Sequence, residues 1–129
     1  MIERNGNCWK SAFECLLKPP LPVGLDFEPV LVHGLPTGTL GEAAKVGVYC
    51  HAWIEYPDLN VVYDTESDVV VPRALYYKVG KIEYTKQYTV SEALALSLEF
   101  KILGPWDDKI IARDAEIDKI SERGGLRNG

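Results

Sequence analysis

Apolar residues near the start of the chain recur at helical spacing. Asn7 is a favourable residue for capping the N-terminus of a helix, and Pro19-Pro20 cannot continue one. The pattern therefore predicts a first helix that begins near Asn7 or Cys8 and ends before the prolines. Its apolar face is formed by Cys8, Trp9, Ala12, Phe13, Cys15 and Leu16.

An alternating pattern further along the chain predicts strands. Residues Gly47 to Tyr56 alternate, so that His51 lies on one face of a strand and Cys50 on the other. Pro57 to Asn60 has the composition of a turn, and Val61 to Asp64 returns as the partner strand. Three further short runs have strand character, namely Pro29–His33, Val69–Val71 and Ile82–Tyr88.

Helical signals return in the second half of the chain. Pro72 to Tyr77 predicts a helical turn. The capping box Thr89-Val90-Ser91-Glu92 predicts the start of a helix that reaches about Leu103 and ends at Gly104-Pro105. Asp108 to Arg123 is rich in charged residues, and we expect it to form an outlying helix with a frayed end.

The order of these elements predicts an α+β fold, in which an antiparallel sheet packs against the N-terminal helix that carries Cys8. The 129 residues correspond to one domain of common size. A content of 47% hydrophobic and 26% charged residues is typical of a globular protein and argues against disorder. We expect one domain over residues 1–107, followed by a charged helix and tail over residues 108–129.

Charge and cysteine content exclude several functional classes. The 14 basic and 19 acidic residues give a net charge of −5, and no basic cluster predicts binding to nucleic acid or to a membrane surface. Three cysteines are an odd number and do not predict a disulfide framework, so we expect reduced thiols. Since there is no signal-peptide pattern and no apolar run of about 18 residues, we expect a cytoplasmic protein. We expect no cofactor.

Cys8, His51 and Asp64 form the candidate catalytic constellation. The partial positive charge at a helix N-terminus favours the thiolate form of a cysteine such as Cys8. If the hairpin loop is Pro57–Asn60, Asp64 lies opposite Trp53 and diagonal to His51; a loop of two residues would place Asp64 directly opposite His51. The longer loop suits proline better, and either register puts both side chains on one face, about 5–8 Å apart.

These three side chains match the nucleophile, base and orienting carboxylate of cysteine-dependent acyl transfer. Glu55 shares the strand face of His51 but lies about 13 Å along the strand, too far to orient the ring. The backbone amide of Cys8 is one candidate donor to an oxyanion. The side chain of Asn5 or Asn7 is the second candidate, and Trp9, Trp53 and His33 are candidates for lining the substrate site.

The same residues resemble a known superfamily. Cys8 at a helix start, the strand His51-Ala52-Trp53-Ile54-Glu55 and the following Val62-Tyr63-Asp64 are similar to the transglutaminase-like branch of the papain-like cysteine hydrolases. That branch includes peptidases, deamidases, acyltransferases and transglutaminases. The resemblance implies that Cys8 is the nucleophile, His51 the base and Asp64 the orienting residue, and that a protein or peptide is the substrate.

A wider set of motifs resembles small uncharacterised proteins of phage and bacterial genomes. The set comprises Asn7-Cys8-Trp9, Leu31-Val32-His33-Gly34, His51–Glu55 and Gly104-Pro105-Trp106-Asp107. The chain has Gly6-Asn7-Cys8-Trp9 where transglutaminases usually have Gly-Gln-Cys-Trp, and it is short for a transglutaminase. Both departures favour hydrolysis or deamidation over crosslinking.

Other interpretations compete with this one. Cys8 could be a small buried apolar residue, or Cys50 could be the reactive thiol, although a cysteine in mid-strand lacks the helix dipole. His33 is either a loop residue bonded to backbone or a part of the site. The set Cys8, Cys15, Cys50, His33 and His51 could bind zinc, but no Cys-x-x-Cys spacing supports this. A non-catalytic protein-binding module on the same scaffold is the main alternative function.

Overall fold

The computed structural model describes residues 7–19, 28–38 and 47–124. Its elements are α1 (Asn7–Leu17), β1 (Val30–Gly34), β2 (His51–Tyr56), β3 (Val61–Asp64), β4 (Val69–Pro72), α2 (Arg73–Gly80), β5 (Thr85–Tyr88), α3 (Val90–Phe100) and α4 (Asp108–Gly124). The five described strands form one antiparallel sheet in the order β4-β3-β2-β1-β5. The helix α1 packs against β1 and β2, so the predicted α+β class with an N-terminal helix on an antiparallel sheet is confirmed.

The β2–β3 hairpin adopts the longer of the two loops considered from the sequence. Tyr56 pairs with Val61, and the loop between them contains a short 3-10 helix over Pro57–Leu59. Asn60 closes the loop in the left-handed conformation, with φ 53°, and its amide donates to the Pro57 carbonyl over 3.2 Å. The fixed φ of proline and the tolerance of asparagine for a positive φ explain this loop.

Both faces of the sheet are covered, and every residue of β2 is buried. Alternation along β2 therefore separates two apolar clusters rather than a core face and a solvent face. One cluster lies between the sheet and α1 and includes Trp9, Ala12, Phe13, Leu16, Leu31, Ala52 and Ile54. The other lies on the opposite face and includes Val32, Trp53 and Val62, with Tyr76 and Tyr77 of α2 packed against them.

Several predicted boundaries differ from those observed. The strand predicted from Gly47 begins at His51, because the preceding residues form only an isolated bridge between Thr37 and Val48. The helical turn predicted after Pro72 is a full helix, α2, and the strand predicted from Ile82 begins at Thr85. Each difference lies at an element end, where tertiary contacts outweigh local pattern.

The capping box at the start of α3 is confirmed. Thr89 Oγ1 accepts from the Glu92 amide over 3.1 Å, and Glu92 Oε1 accepts from the Thr89 amide over 2.9 Å. The helix ends at Phe100 rather than near Leu103, because Lys101 takes the left-handed conformation with φ 59°. Gly104-Pro105 therefore lies in the connection that follows the helix.

The charged C-terminal helix α4 is docked on the sheet domain and does not stand apart as expected. Ile110 is completely buried in the cluster that contains α1, and Ile117 is also buried. Asp107 caps the helix, since its Oδ2 accepts from the Lys109 and Ile110 amides over 3.1 and 3.3 Å. Ile110, beyond position 107, therefore belongs to the same apolar cluster as α1. Over the residues described, the helices fall short of the length and apolar character that a membrane span needs.

Candidate active site

Cys8 lies in the first turn of α1, against the end of β2 that carries His51. Its side chain is half-buried, and within the described residues neither Cys8 nor the other two cysteines, Cys15 and Cys50, form a disulfide. Amides in the first turn of a helix have no partner within the helix, so the Cys8 amide is available to an acceptor. The Cys8 side chain is also a hydrogen-bond partner of the His51 ring. This contact places the Cys8 side chain beside the His51 ring.

The His51 ring has a carboxylate at each nitrogen. Its Nε2 lies 3.0 Å from Asp64 Oδ2, which is the diagonal cross-strand contact that the hairpin register predicts. Its Nδ1 lies 3.1 Å from Glu66 Oε1. The ring is almost completely buried, whereas the Glu66 side chain is 54% exposed. Because Nε2 is committed to Asp64, the other nitrogen, Nδ1, is the one that can exchange a proton with a thiol.

Asp64 is fixed by four hydrogen bonds. Besides His51, the Tyr76 hydroxyl donates to Oδ2 over 2.5 Å. The backbone amides of Glu66 and Ser67 donate to Oδ1 over 2.9 and 3.4 Å. Burial alone would raise the pKa of Asp64, but the hydrogen bonds and the charge of His51 lower it to about 2. Asp64 is therefore an ionised carboxylate with a fixed orientation.

The charge state of His51 follows from the same contacts. Burial alone would lower the pKa of His51, but hydrogen bonds to Asp64, Cys8 and Glu66 together raise it well above its usual value. The ring is accordingly an imidazolium at neutral pH, which donates from both nitrogens. A histidine in this state can stabilise a neighbouring thiolate and can later return its proton to a leaving group.

The aromatic candidates occupy different places. Trp53 is buried, and its ring centroid lies 5.8 Å from that of His51, so it packs beside the imidazole ring. Trp9 is buried on the opposite face of the sheet and contacts His33 rather than His51. Asn5 lies outside the described residues. Asn7 is the first residue of α1, and its side chain lies outside the described part.

His33 is neither a loop residue nor bonded to backbone, which corrects the first of the two expectations for it. It lies within β1, completely buried, and within the described part of the chain neither ring nitrogen has a hydrogen-bond partner. Burial lowers its pKa to about 3, although the charge of Asp107 acts in the opposite direction. The rings around it belong to Trp9, Tyr88 and Trp106, at centroid distances of 4.8, 5.1 and 5.1 Å.

Glu55 belongs to a separate buried network on the face of α2. Its carboxylate accepts from Trp53 Nε1 over 2.9 Å, from Arg73 Nε over 3.0 Å and from the Tyr77 hydroxyl. The Arg73 guanidinium also lies 4.3 Å from the centre of the Tyr77 ring. Glu55 therefore joins β2 to α2, in agreement with the expectation that it does not orient His51.

Two residues that contact the site, Tyr76 and Glu66, were not among the sequence candidates. Tyr76 comes from α2, and no linear spacing relates it to Asp64. Glu66 follows Asp64 by two residues in a turn, where an acidic residue is ordinary. Tyr49 also lies near the site, with its ring centroid 6.1 Å from that of His51.

All three cysteines are partly buried against the cluster beneath α1. Cys15 and Cys50 differ from Cys8 in the groups that contact their thiols. Burial and the charges of Glu14 and Asp68 raise the pKa of the Cys15 thiol. The Cys50 thiol donates to the Ile110 carbonyl over 3.6 Å. Among the described residues, no group of three or more His, Cys, Asp and Glu side chains is arranged to hold a metal ion.

The site thus brings a thiol, a protonated histidine and an ionised carboxylate together on an α+β scaffold. No family model matches the chain, and neither a curated protein nor a solved structure does. The geometry of this site is therefore what bears on function. A thiolate beside an imidazolium is a nucleophile for acyl carbon, and the carboxylate beyond the histidine keeps the ring oriented.

Proposed function

We propose that this protein is a cysteine-dependent hydrolase or acyltransferase that acts on an amide, isopeptide or thioester bond of a protein or peptide. The observation that carries the proposal is the His51 ring, which is bonded to Asp64 at Nε2 and has the Cys8 thiol as a further partner. The antiparallel α+β fold and the order of these residues agree with the resemblance to transglutaminase-like enzymes.

The reaction divides into two transfers. His51 Nδ1 holds the proton of the Cys8 thiol, and the thiolate sulfur attacks the substrate carbonyl carbon. When the tetrahedral intermediate collapses, the bond from carbon to the leaving nitrogen or sulfur breaks, and His51 gives its proton to that group. Water or an amine then attacks the thioester carbon and gives a proton to His51, the bond from carbon to the Cys8 sulfur breaks, and the sulfur leaves as the thiolate, which restores the starting pair with protonated His51.

The helix start supplies the electrostatic part of the mechanism. The Cys8 amide points from the positive end of α1 and can donate to the oxyanion that forms in each transfer. A second donor from Asn5 or Asn7 would complete the oxyanion hole. Asp64 contributes by holding the orientation and the charge of His51, since its own pKa of about 2 prevents it from accepting the proton.

The proposal is tested by the rate at which iodoacetamide alkylates each thiol near pH 6, with the sites resolved by peptide mass spectrometry. We expect Cys8 to react at least about ten times faster than Cys15, because Cys8 has His51 beside it to hold its proton. His51→Ala should remove the difference. The matched control is His33→Phe, which replaces the other of the two histidines. In this variant, Cys8 should still be alkylated faster than Cys15. Equal, slow labelling of all three thiols would contradict the proposal.

A non-catalytic binding module is the second candidate function. The observation in its favour is a set of exposed apolar side chains on α3 and just beyond it, of which Leu98 is 77% exposed. Exposed apolar side chains that lie close together in the chain are candidates for a protein–protein contact. The members are Leu94, Leu98, Phe100 and Ile102. Labelling of Cys8 that is slow and independent of His51 would favour this function over catalysis.

A further inference from the structure

The carboxylate of Glu66 occupies the catalytic nitrogen of His51. Glu66 Oε1 lies 3.1 Å from Nδ1, and Nδ1 is the nitrogen that Cys8 needs, because Nε2 is bonded to Asp64. Each ring nitrogen of an imidazolium carries one hydrogen. Cys8 and Glu66 therefore compete for the same hydrogen, and a bond to Glu66 weakens the pairing of His51 with the thiolate.

The two carboxylates around His51 differ in how firmly they are held. Asp64 is buried and receives two backbone amides and the Tyr76 hydroxyl in addition to the ring. Glu66 lies in the turn after β3, and its side chain is 54% exposed. An ion pair with one exposed partner is weak, so the Glu66 carboxylate can exchange His51 for another cation at little cost. Asp64 cannot do so.

The charges at the site favour such an exchange. His51 supplies one positive charge to two carboxylates, and a Cys8 thiolate would add a further negative charge beside them. Tyr49, whose ring lies close to His51, brings no positive charge. A substrate with a cationic group next to its scissile bond would neutralise Glu66 and release Nδ1 to Cys8 in the same movement.

We propose that Glu66 determines substrate specificity by selecting an ammonium or guanidinium group beside the scissile bond. In the resting protein its carboxylate holds His51 Nδ1. When a cationic substrate binds, the carboxylate turns to the substrate, and Nδ1 becomes free to pair with the Cys8 thiolate. This inference rests on the proposed function, because it assumes that Cys8 and His51 act as nucleophile and base.

The test compares two methanethiosulfonate reagents of similar size, one with a trimethylammonium group and one with a sulfonate. In both reactions the Cys8 thiolate forms a disulfide with the reagent and releases methanesulfinate, so only the charge of the transferred group differs. The ratio of the two rates is divided by the same ratio for 2-mercaptoethanol. We expect a normalised preference for the cationic reagent of about tenfold, which Glu66→Gln should reduce to about two- to threefold.

A neutral reagent measures the release of His51 separately. At pH 7, Glu66→Gln should speed alkylation of Cys8 by iodoacetamide about three- to tenfold, because the competing carboxylate is gone. A residue with only a structural role would leave this rate unchanged or lower it. Glu66→Asp keeps the charge but shortens the side chain. It should retain the cationic preference and still speed the reaction with iodoacetamide.

The matched control is Asp58→Asn, which removes the same charge at the other end of the β2–β3 hairpin, about 16 Å from His51 along the strand. It should change neither measurement. If His51→Ala leaves the labelling of Cys8 unaffected, the proposed function fails. If the labelling depends on His51 but Glu66→Gln changes neither the charge preference nor the iodoacetamide rate, the proposed function stands and the role of Glu66 is overturned.

Discussion

Replacement of His33 by phenylalanine should change how the stability of the protein depends on pH. His33 is completely buried among three aromatic rings, and its pKa is lowered to about 3 because burial opposes the charged form. Phenylalanine can keep the edge-to-face contacts with Trp9 and Tyr88 but cannot bind a proton. The substitution also removes the two ring nitrogens of His33, which have no hydrogen-bond partner within the described residues. Because no hydrogen bond is lost, the variant should be no less stable than the natural protein at pH 7.

The magnitude follows from the two pKa values of His33. Between pH 6.5 and about 3 the unfolded chain binds a proton at this residue that the folded protein does not bind. The stability that His33 contributes through its neutral form is therefore complete above pH 6.5 and is lost as the pH falls. At about 1.36 kcal/mol per pH unit, the free energy of unfolding falls by about 2 kcal/mol between pH 7 and pH 5. His33→Phe has no proton to bind at this position, so its free energy of unfolding does not fall for this reason.

Urea unfolding, followed by tryptophan fluorescence at pH 7 and pH 5, measures the effect. The difference in unfolding free energy between His33→Phe and the natural protein should grow by about 2 kcal/mol at the lower pH. Any packing cost of the larger ring is present at both pH values and cancels. His33→Leu gives the same comparison with a smaller side chain. A difference that is equal at the two pH values would refute the idea that His33 is held neutral in the core.

Three further predictions concern hydrogen bonds elsewhere in the fold. Tyr76→Phe should destabilise the protein by about 1–2 kcal/mol in urea unfolding and slow the alkylation of Cys8, because Asp64 loses one of its donors; normal labelling would place Tyr76 outside the site. Glu55→Gln should cost about 2–3 kcal/mol by the same measurement, since the pair with Arg73 is broken; Cys8 labelling should not change. Thr89→Ala should cost about 1 kcal/mol by loss of the capping box, and an unchanged urea midpoint would contradict this.

The parts of the fold that the sequence predicts are those with a local cause. The register of the β2–β3 hairpin depends on Pro57 and Asn60, whose backbone preferences select the loop. Once that register is known, the contact of His51 with Asp64 follows from the geometry of antiparallel strands. The capping box of α3 is also local, since both of its hydrogen bonds join Thr89 and Glu92.

The parts that the sequence does not predict depend on packing between distant elements. Alternation in β2 does not show that both faces are covered. The burial of His33 depends on the pairing of β1 with β2, which sets His33 opposite Ala52 on the face toward α1, and no local pattern fixes that register. The docking of α4 depends on Ile110 and Ile117, two apolar residues in a mostly charged helix, which give only a weak signal. Tyr76 reaches Asp64 because α2, which begins directly after β4, packs against the sheet, and no spacing in the sequence encodes that direction.

The hairpin register connects the stability of the fold to the integrity of the site. A shift of one residue between β2 and β3 would turn Asp64 to the opposite face of the sheet, away from His51. It would also turn an ionised carboxylate toward the apolar cluster beneath α1, without its hydrogen bonds to His51 and Tyr76. The shifted pairing is thus penalised by the same carboxylate that orients His51. The charge that the site needs therefore helps to specify the fold that positions it.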